Sequence, residues 1–114
     1  MSTVCRLVDM NHAIDQAQGI LGRADFAAYE KDAALRVALE RCLGIVATAV
    51  EQLPVELTER YPDLAWAEIA RMGRELRYRY WDVQNLVIWR TARNELPKLK
   101  PVIQAMIDQV NKQA

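Results

Sequence analysis

Between Phe26 and Leu53 the apolar residues return every three or four positions, and Pro54 closes the run. The stripe is Phe26, Tyr29, Ala33, Leu35, Ala38, Leu39, Cys42, Ile45, Val46, Ala49, Val50 and Leu53. Such spacing covers one face of an α-helix, whereas a half-buried strand would alternate with period two. Asp25 stands where an N-cap belongs, so one long helix is predicted from Phe26 to Leu53. A second long helix is expected over Val4 to Leu21, carried by Val4, Leu7, Val8, Ile14, Ala17 and Leu21, with Gly19 and Gly22 near its stop. Two such helices, antiparallel to one another, must bury their stripes against each other and against the C-terminal half of the chain.

That C-terminal half is also helical in pattern. Val55 to Pro62 reads as a connector with one short helical turn. Asp63 is placed to cap a helix carrying Trp66, Ile69, Met72, Leu76 and Tyr80, and another is predicted from about Asp82 with Val83, Leu86, Val87 and Trp89. Pro97 and Pro101 suit the opening turn of a last helix with Val102, Ile103, Met106, Ile107 and Val110. The fold class is therefore all-α, a bundle of four to five helices with the two long antiparallel ones as its spine. A chain of 114 residues with four glycines and four prolines has room for one domain, residues 1–114, and little room for a linker.

Charge and composition exclude several classes. Fifteen basic residues balance fifteen acidic ones, so gross basicity gives no case for nucleic-acid binding. Arg6 and Asp9 interrupt the N-terminal apolar residues, leaving no signal-peptide core, and no apolar run approaches the roughly 20 residues of a membrane span. A cytoplasmic protein without membrane association is expected. Cys5 and Cys42 lie inside apolar patterns and read as buried free thiols. With His12 the sole histidine, the usual zinc ligand sets are not assembled, and no metal or cofactor is expected. There is no Glu-x-x-His pair, no glycine-rich phosphate loop and no Gly-x-Ser-x-Gly elbow. Trp66, Trp81 and Trp89 read as core or interface anchors.

The local exception to neutrality runs from Arg71 to Arg93. Arg71, Arg74, Arg77, Arg79, Arg90 and Arg93 stand against Glu75 and Asp82, a net charge of +4. At 100° per residue Arg71, Arg74 and Tyr78 share an arc of about 60°, with Arg77 beside it, while Ile69, Met72, Leu76 and Tyr80 face the other way. Arginine forks grip phosphate oxygens and an aromatic ring among them can stack a base. The same face could equally be a solvated cationic surface that pairs with acidic residues. His12, with Asp9 three residues back, has the chemistry of a general base or of a simple surface pair. Asp9, Asp25, Glu30, Asp32, Glu40, Glu51, Glu56 and Glu59 are dispersed as on a wet face.

The order of landmarks carries a resemblance. Asp9-Met10, Phe26, the run Glu40 to Leu53, Tyr61-Pro62-Asp63-Leu64-Ala65-Trp66, Ile69-Ala70-Arg71-Met72-Gly73, Leu76-Arg77, Tyr80, Asp82-Val83, Val87-Ile88-Trp89 and Glu95-Leu96-Pro97 succeed one another in that order. Over nearly the full chain this resembles the HepT-like family of the HEPN superfamily. The resemblance implies a dimeric all-α bundle and a metal-independent endoribonuclease that acts as the toxin of a toxin–antitoxin pair. It also implies an MntA-like nucleotidyltransferase as antitoxin, transferring AMP from ATP to a toxin tyrosine. Active members carry Arg, four to six residues, His, one residue, Tyr. Here Arg71 meets the longer spacing, Gly73 occupies the shorter one, Tyr78 stands at the histidine position, and Tyr80 matches the AMP-accepting tyrosine. The stretch Gly73-Arg74-Glu75-Leu76-Arg77-Tyr78-Arg79-Tyr80 resembles a family variant, Gly-Asn-x-Leu-Arg-His-x-Tyr, with its Asn and His replaced. Thr48 stands where the family often has Glu.

The resemblance implies two alternative functions. One is an RNA-cleaving toxin with Arg71, Arg74 and Arg77 on phosphate and Tyr78 in the histidine's place. The other is a catalytically degenerate module that holds the nucleotidyltransferase or a nucleotide without cutting RNA. A bundle that only scaffolds a complex is a third.

Overall fold

Every regular element that the chain forms among its described residues is a helix. The computed structural model describes residues 2–78 and 83–113. The elements are α1 (Thr3–Leu21), α2 (Phe26–Lys31), α3 (Ala33–Gln52), α4 (Val55–Thr58), α5 (Trp66–Tyr78), α6 (Asn85–Asn94) and α7 (Leu96–Gln113). The all-α expectation holds, with seven helices among the described residues in place of four or five.

One added helix is the short turn expected in the connector, α4, and the other comes from Asp32. The long helix expected over Phe26 to Leu53 is broken there, at φ −108° and ψ 102°. The Asp32 carboxylate accepts from the amides of Ala34 (3.0 Å) and Leu35 (3.2 Å), which otherwise would reach back into α2. A short acidic side chain that satisfies the first amides of a helix competes with continuation of the helix before it. Arg36 donates to the Glu30 carbonyl left over on the far side of the break. Ser2 and Asp25 cap α1 and α2 in the same way, accepting from Cys5 and Ala28.

Two other boundaries move. α5 starts at Trp66 rather than at Asp63, because Leu64 and Trp66 spend their amides on a tight turn and Ala65 supplies the first helical carbonyl, to Ile69. The Trp66 indole N–H donates to the Tyr61 carbonyl at 2.9 Å and ties the loop to the helix start. α6 starts at Asn85, with Gln84 extended before it. Pro97 lies in the first turn of α7 as expected, but Pro101 sits inside the helix, exposed at its surface.

α1 and α3 form the antiparallel spine. Arg6 near the start of α1 donates to Gln52 at the end of α3 (2.9 Å), while Gln16 lies level with Cys42. α1 packs on α7 with its other side, α5 packs on α3, and α6 contacts α1, α3 and α7. Between them Leu7, Met10 and Ile14 of α1, Leu39, Leu43 and Val46 of α3, Ile88 of α6, and Leu99, Ile103 and Met106 of α7 are fully or almost fully buried. Phe26, Tyr29 and Trp89 close one end as an aromatic cluster, with Tyr29 and Trp89 ring centroids 5.0 Å apart. Cys42 is a buried thiol whose pKa burial pushes up; Cys5, expected to be buried, is exposed because it lies on the outer side of the first turn of α1.

Candidate phosphate-binding site on α5

The site begins with a glycine. α5 buries Ile69, Ala70, Met72 and Gly73, and turns Arg71, Arg74, Glu75, Arg77 and Tyr78 outward. A Cβ added to Gly73 would lie 2.2 Å from the Cβ of Ala47. The two backbones therefore meet at a distance that no larger residue permits at position 73. This close crossing carries the last turn of α5 past the end of α3, where Glu51 projects.

Arg74 and Arg77 converge on that carboxylate. An Arg74 terminal nitrogen lies 3.5 Å from Glu51 Oε1, and an Arg77 nitrogen lies 3.4 Å from Oε1 and 3.5 Å from Oε2. Charge-assisted bonds of full strength are about 2.7–2.9 Å long, so these pairs are loose. Two guanidiniums share one carboxylate, which leaves the cluster with a surplus positive charge. Tyr78 comes next, 69% exposed, with the Arg77 guanidinium carbon 5.4 Å from its ring centroid. Cation and ring face thus share one exposed patch.

Arg71 parts from this group. It lines a cleft of about 210 Å³ between α5 and α6, beside Glu68, Glu75, Val87 and Arg90. The helical arithmetic joins Arg71 with Arg74; the fold instead joins Arg74 with Arg77, because the reach of a long side chain is decided by where its carboxylate partner stands. Tyr80, and with it Arg79, Trp81 and Asp82, lies outside the described residues.

His12 is elsewhere. It lines a groove between α1 and α7 with Asn11, Asp15, Lys100 and Gln104, where Lys100 and Asp15 form an ion pair. Asp9 lines a different groove, so the His12–Asp9 pairing suggested by their spacing does not share a pocket. That second groove, about 640 Å³, runs along α3 between α1 and α5 and includes Arg6, Asp9, Thr48, Leu76 and Arg77. Thr48 is exposed in its wall rather than buried. At its other end Val37 is 64% exposed, and burial pushes the Glu40 carboxyl up from its usual pKa against the opposing pull of Arg36. Among the described residues no three metal-ligating side chains gather, and no helix is long and apolar enough to cross a membrane.

A family model described as Ribonuclease HepT-like matches residues 10–106. The chain belongs to the HepT-like ribonuclease family. Among family relatives, a Methanocaldococcus jannaschii protein named "Putative RNase MJ1216" is 27% identical over 104 residues, covering 91% of this chain and 86% of the relative. "Putative RNase TTE0752" of Caldanaerobacter subterraneus subsp. tengcongensis is 30% identical over 101 residues, covering 86% of this chain and 90% of that one. "Probable ribonuclease HepT" of Thermococcus cleftensis is 29% identical over 94 residues, 82% of this chain and 86% of the relative. No solved structure matches the chain. For this HepT-like chain the arginines read from the sequence as phosphate ligands are thus present on one helix, divided between two faces. Glu51, read from the sequence as one more wet-face acid, is the group that gathers two of them. Gly73, read from the sequence only as the shorter-spacing motif position, is where the two helices cross closely; nothing in a single sequence tells which residue lies across it.

Proposed function

We propose that this chain is the RNA-directed toxin of a toxin–antitoxin pair, gripping a backbone phosphate with Arg74 and Arg77 and presenting Tyr78 where the family motif has histidine. The observation that carries the reading is the convergence of two guanidiniums beside an exposed aromatic ring, in a chain of a ribonuclease family. The forks stabilise charge that develops on a phosphate as the 2′-hydroxyl of the preceding ribose gives up its proton and attacks phosphorus, while the P–O5′ bond breaks and the 5′-oxygen leaves with a proton; the ring stacks an adjoining base. Proton transfer is the weak step. A phenol is a poorer proton acceptor than the imidazole that the family motif places there. The reading therefore includes slow cleavage.

A second reading, binding without cleavage, is favoured by the placement of His12 in the α1–α7 groove, apart from Arg74 and Arg77. Cleavage of RNA in excess EDTA by the unaltered chain, Arg77→Ala and Tyr78→His separates the two. We expect slow cutting that Arg77→Ala abolishes and Tyr78→His speeds by about 10²-fold or more, the usual scale of a general base. Cutting by none of the three, with a nucleotide or the nucleotidyltransferase held in a way that Arg77→Ala weakens, selects the binding module. No cutting by any form and no binding of RNA, nucleotide or nucleotidyltransferase refutes both.

The same proposal includes two partners. A second copy would seat on the α3 groove, whose exposed Val37 and mixed charges Arg6, Asp9, Glu40 and Arg41 suit a self-complementary contact. A minimal nucleotidyltransferase would add AMP to Tyr80; intact mass after incubation with that enzyme and ATP reads the addition directly.

A further inference from the structure

We propose that Glu51 is a specificity-determining residue of this site: an internal anion that occupies Arg74 and Arg77 and is displaced only by a ligand with several adjacent phosphates. The inference rests on the phosphate-binding reading above and deepens it. A carboxylate and a phosphate present similar pairs of oxygens to a guanidinium fork, so each excludes the other from full contact with the same arginine. In the free protein both forks are already turned to Glu51, and Arg77 divides one nitrogen between its two oxygens.

The charges decide who can enter. Two arginines and one carboxylate leave a surplus of one positive charge. An isolated monoanion meets that single surplus charge and gains little over what Glu51 already supplies. A chain of phosphodiesters brings two or more negative charges within reach, takes both forks, and leaves Glu51 to solvent, where it is already partly exposed. The displaced contacts are long, and half-exposed ion pairs at such distances hold weakly. Glu51 thus costs a polyphosphate ligand little and a single anion proportionately more. It also holds the two forks together before RNA arrives, so their convergence does not have to be organised on binding.

The test is binding of a labelled single-stranded oligoribonucleotide, by fluorescence anisotropy, to the unaltered chain, Glu51→Gln and Asp108→Asn. Asp108 lies on α7, and its replacement removes the same formal charge away from the forks. Tripolyphosphate and orthophosphate, titrated against the arginine Nε–H resonances, serve as ligands independent of RNA. Glu51→Gln is expected to bind the oligonucleotide about three- to tenfold tighter, the scale of two weak ion pairs removed. Its gain for orthophosphate should be larger still, so that its preference for the longer anions falls. Asp108→Asn should bind as the unaltered chain does. A gain of affinity is a result that a misfolded variant cannot produce.

Where the unaltered chain binds the oligonucleotide, equal or weaker binding by Glu51→Gln, or an equal gain in Asp108→Asn, overturns the proposal. Tighter tripolyphosphate binding by Glu51→Gln without RNA binding by any form leaves the role of Glu51 standing and refutes the RNA reading. Failure of Glu51→Gln to bind either ligand overturns both.

Discussion

Tyr29 buries its whole side chain against Phe26 and Trp89, and its hydroxyl finds no hydrogen-bond partner among the described residues. Burial, reinforced by the Glu40 carboxylate and opposed by Arg36, pushes its pKa up to about 12. The folded state therefore holds this proton more tightly than the unfolded chain does. The resulting stability is complete below pH 10 and is lost as pH rises from about 10 to 12, up to about 3 kcal/mol at 1.36 kcal/mol per unit. Tyr29→Phe removes both the orphan hydroxyl and this loss. We expect the variant to match or exceed the unaltered chain by about 1 kcal/mol at pH 7, and to lose less stability above pH 10, in urea unfolding at both pH values. A variant that unfolds more easily at pH 7 would show that the hydroxyl is bonded after all. At the same scale, Arg74, Arg77 and Tyr78 were legible as an unusual run of cations with an aromatic. Their common carboxylate was not, since Glu51 lies on another helix and its spacing in the chain is that of any solvated acid.

Helices α1 and α7 keep closely to the apolar period, because each buries one stripe, whereas α6 buries Ile88, Trp89 and Ala92 and leaves Val87 of the expected stripe exposed. The period fails at Asp32 for a local reason: Ala33 and Leu35 continue the stripe through the break, while the carboxylate takes the amides of the next turn. Gly73 marks the opposite case, a residue that the period treats as neutral and the packing makes essential. Gly73→Ala would set two methyl-sized groups 2.2 Å apart at the α3–α5 crossing, and neither can rotate away. The expected loss is about 2–3 kcal/mol, as for an overpacked core. Adding Ala47→Gly should restore most of it, and chemical denaturation of the single and double variants measures the coupling. At Gly44 an added Cβ meets nothing within 4 Å. Gly44→Ala should therefore stabilise the isolated chain by up to about 1 kcal/mol, the helix-propensity difference.

Across the whole molecule the grooves and the core answer different questions. One contiguous core joins residues of all seven described helices, Ile69 and Met72 of α5 among them, and leaves the outer face of α3 open between α1 and α5. On the proposed reading a second copy covers that face, so Val37→Glu should shift the protein to monomer in light scattering and remove the concentration dependence of its thermal unfolding. A dimer that survives Val37→Glu places the interface elsewhere. The helical class, the antiparallel spine, the buried stripes of α1, α3 and α7 and the run of arginines were determined by the sequence alone, because periodicity and charge are local properties that need no partner to be read. The break at Asp32, the division of Arg71 from Arg74 and Arg77, the separation of His12 from the arginines and the gathering of two arginines on Glu51 were decided by the tertiary structure. Each depends on which residue lies across a helix crossing or beside a helix end, and that register is set by packing between segments distant in the chain.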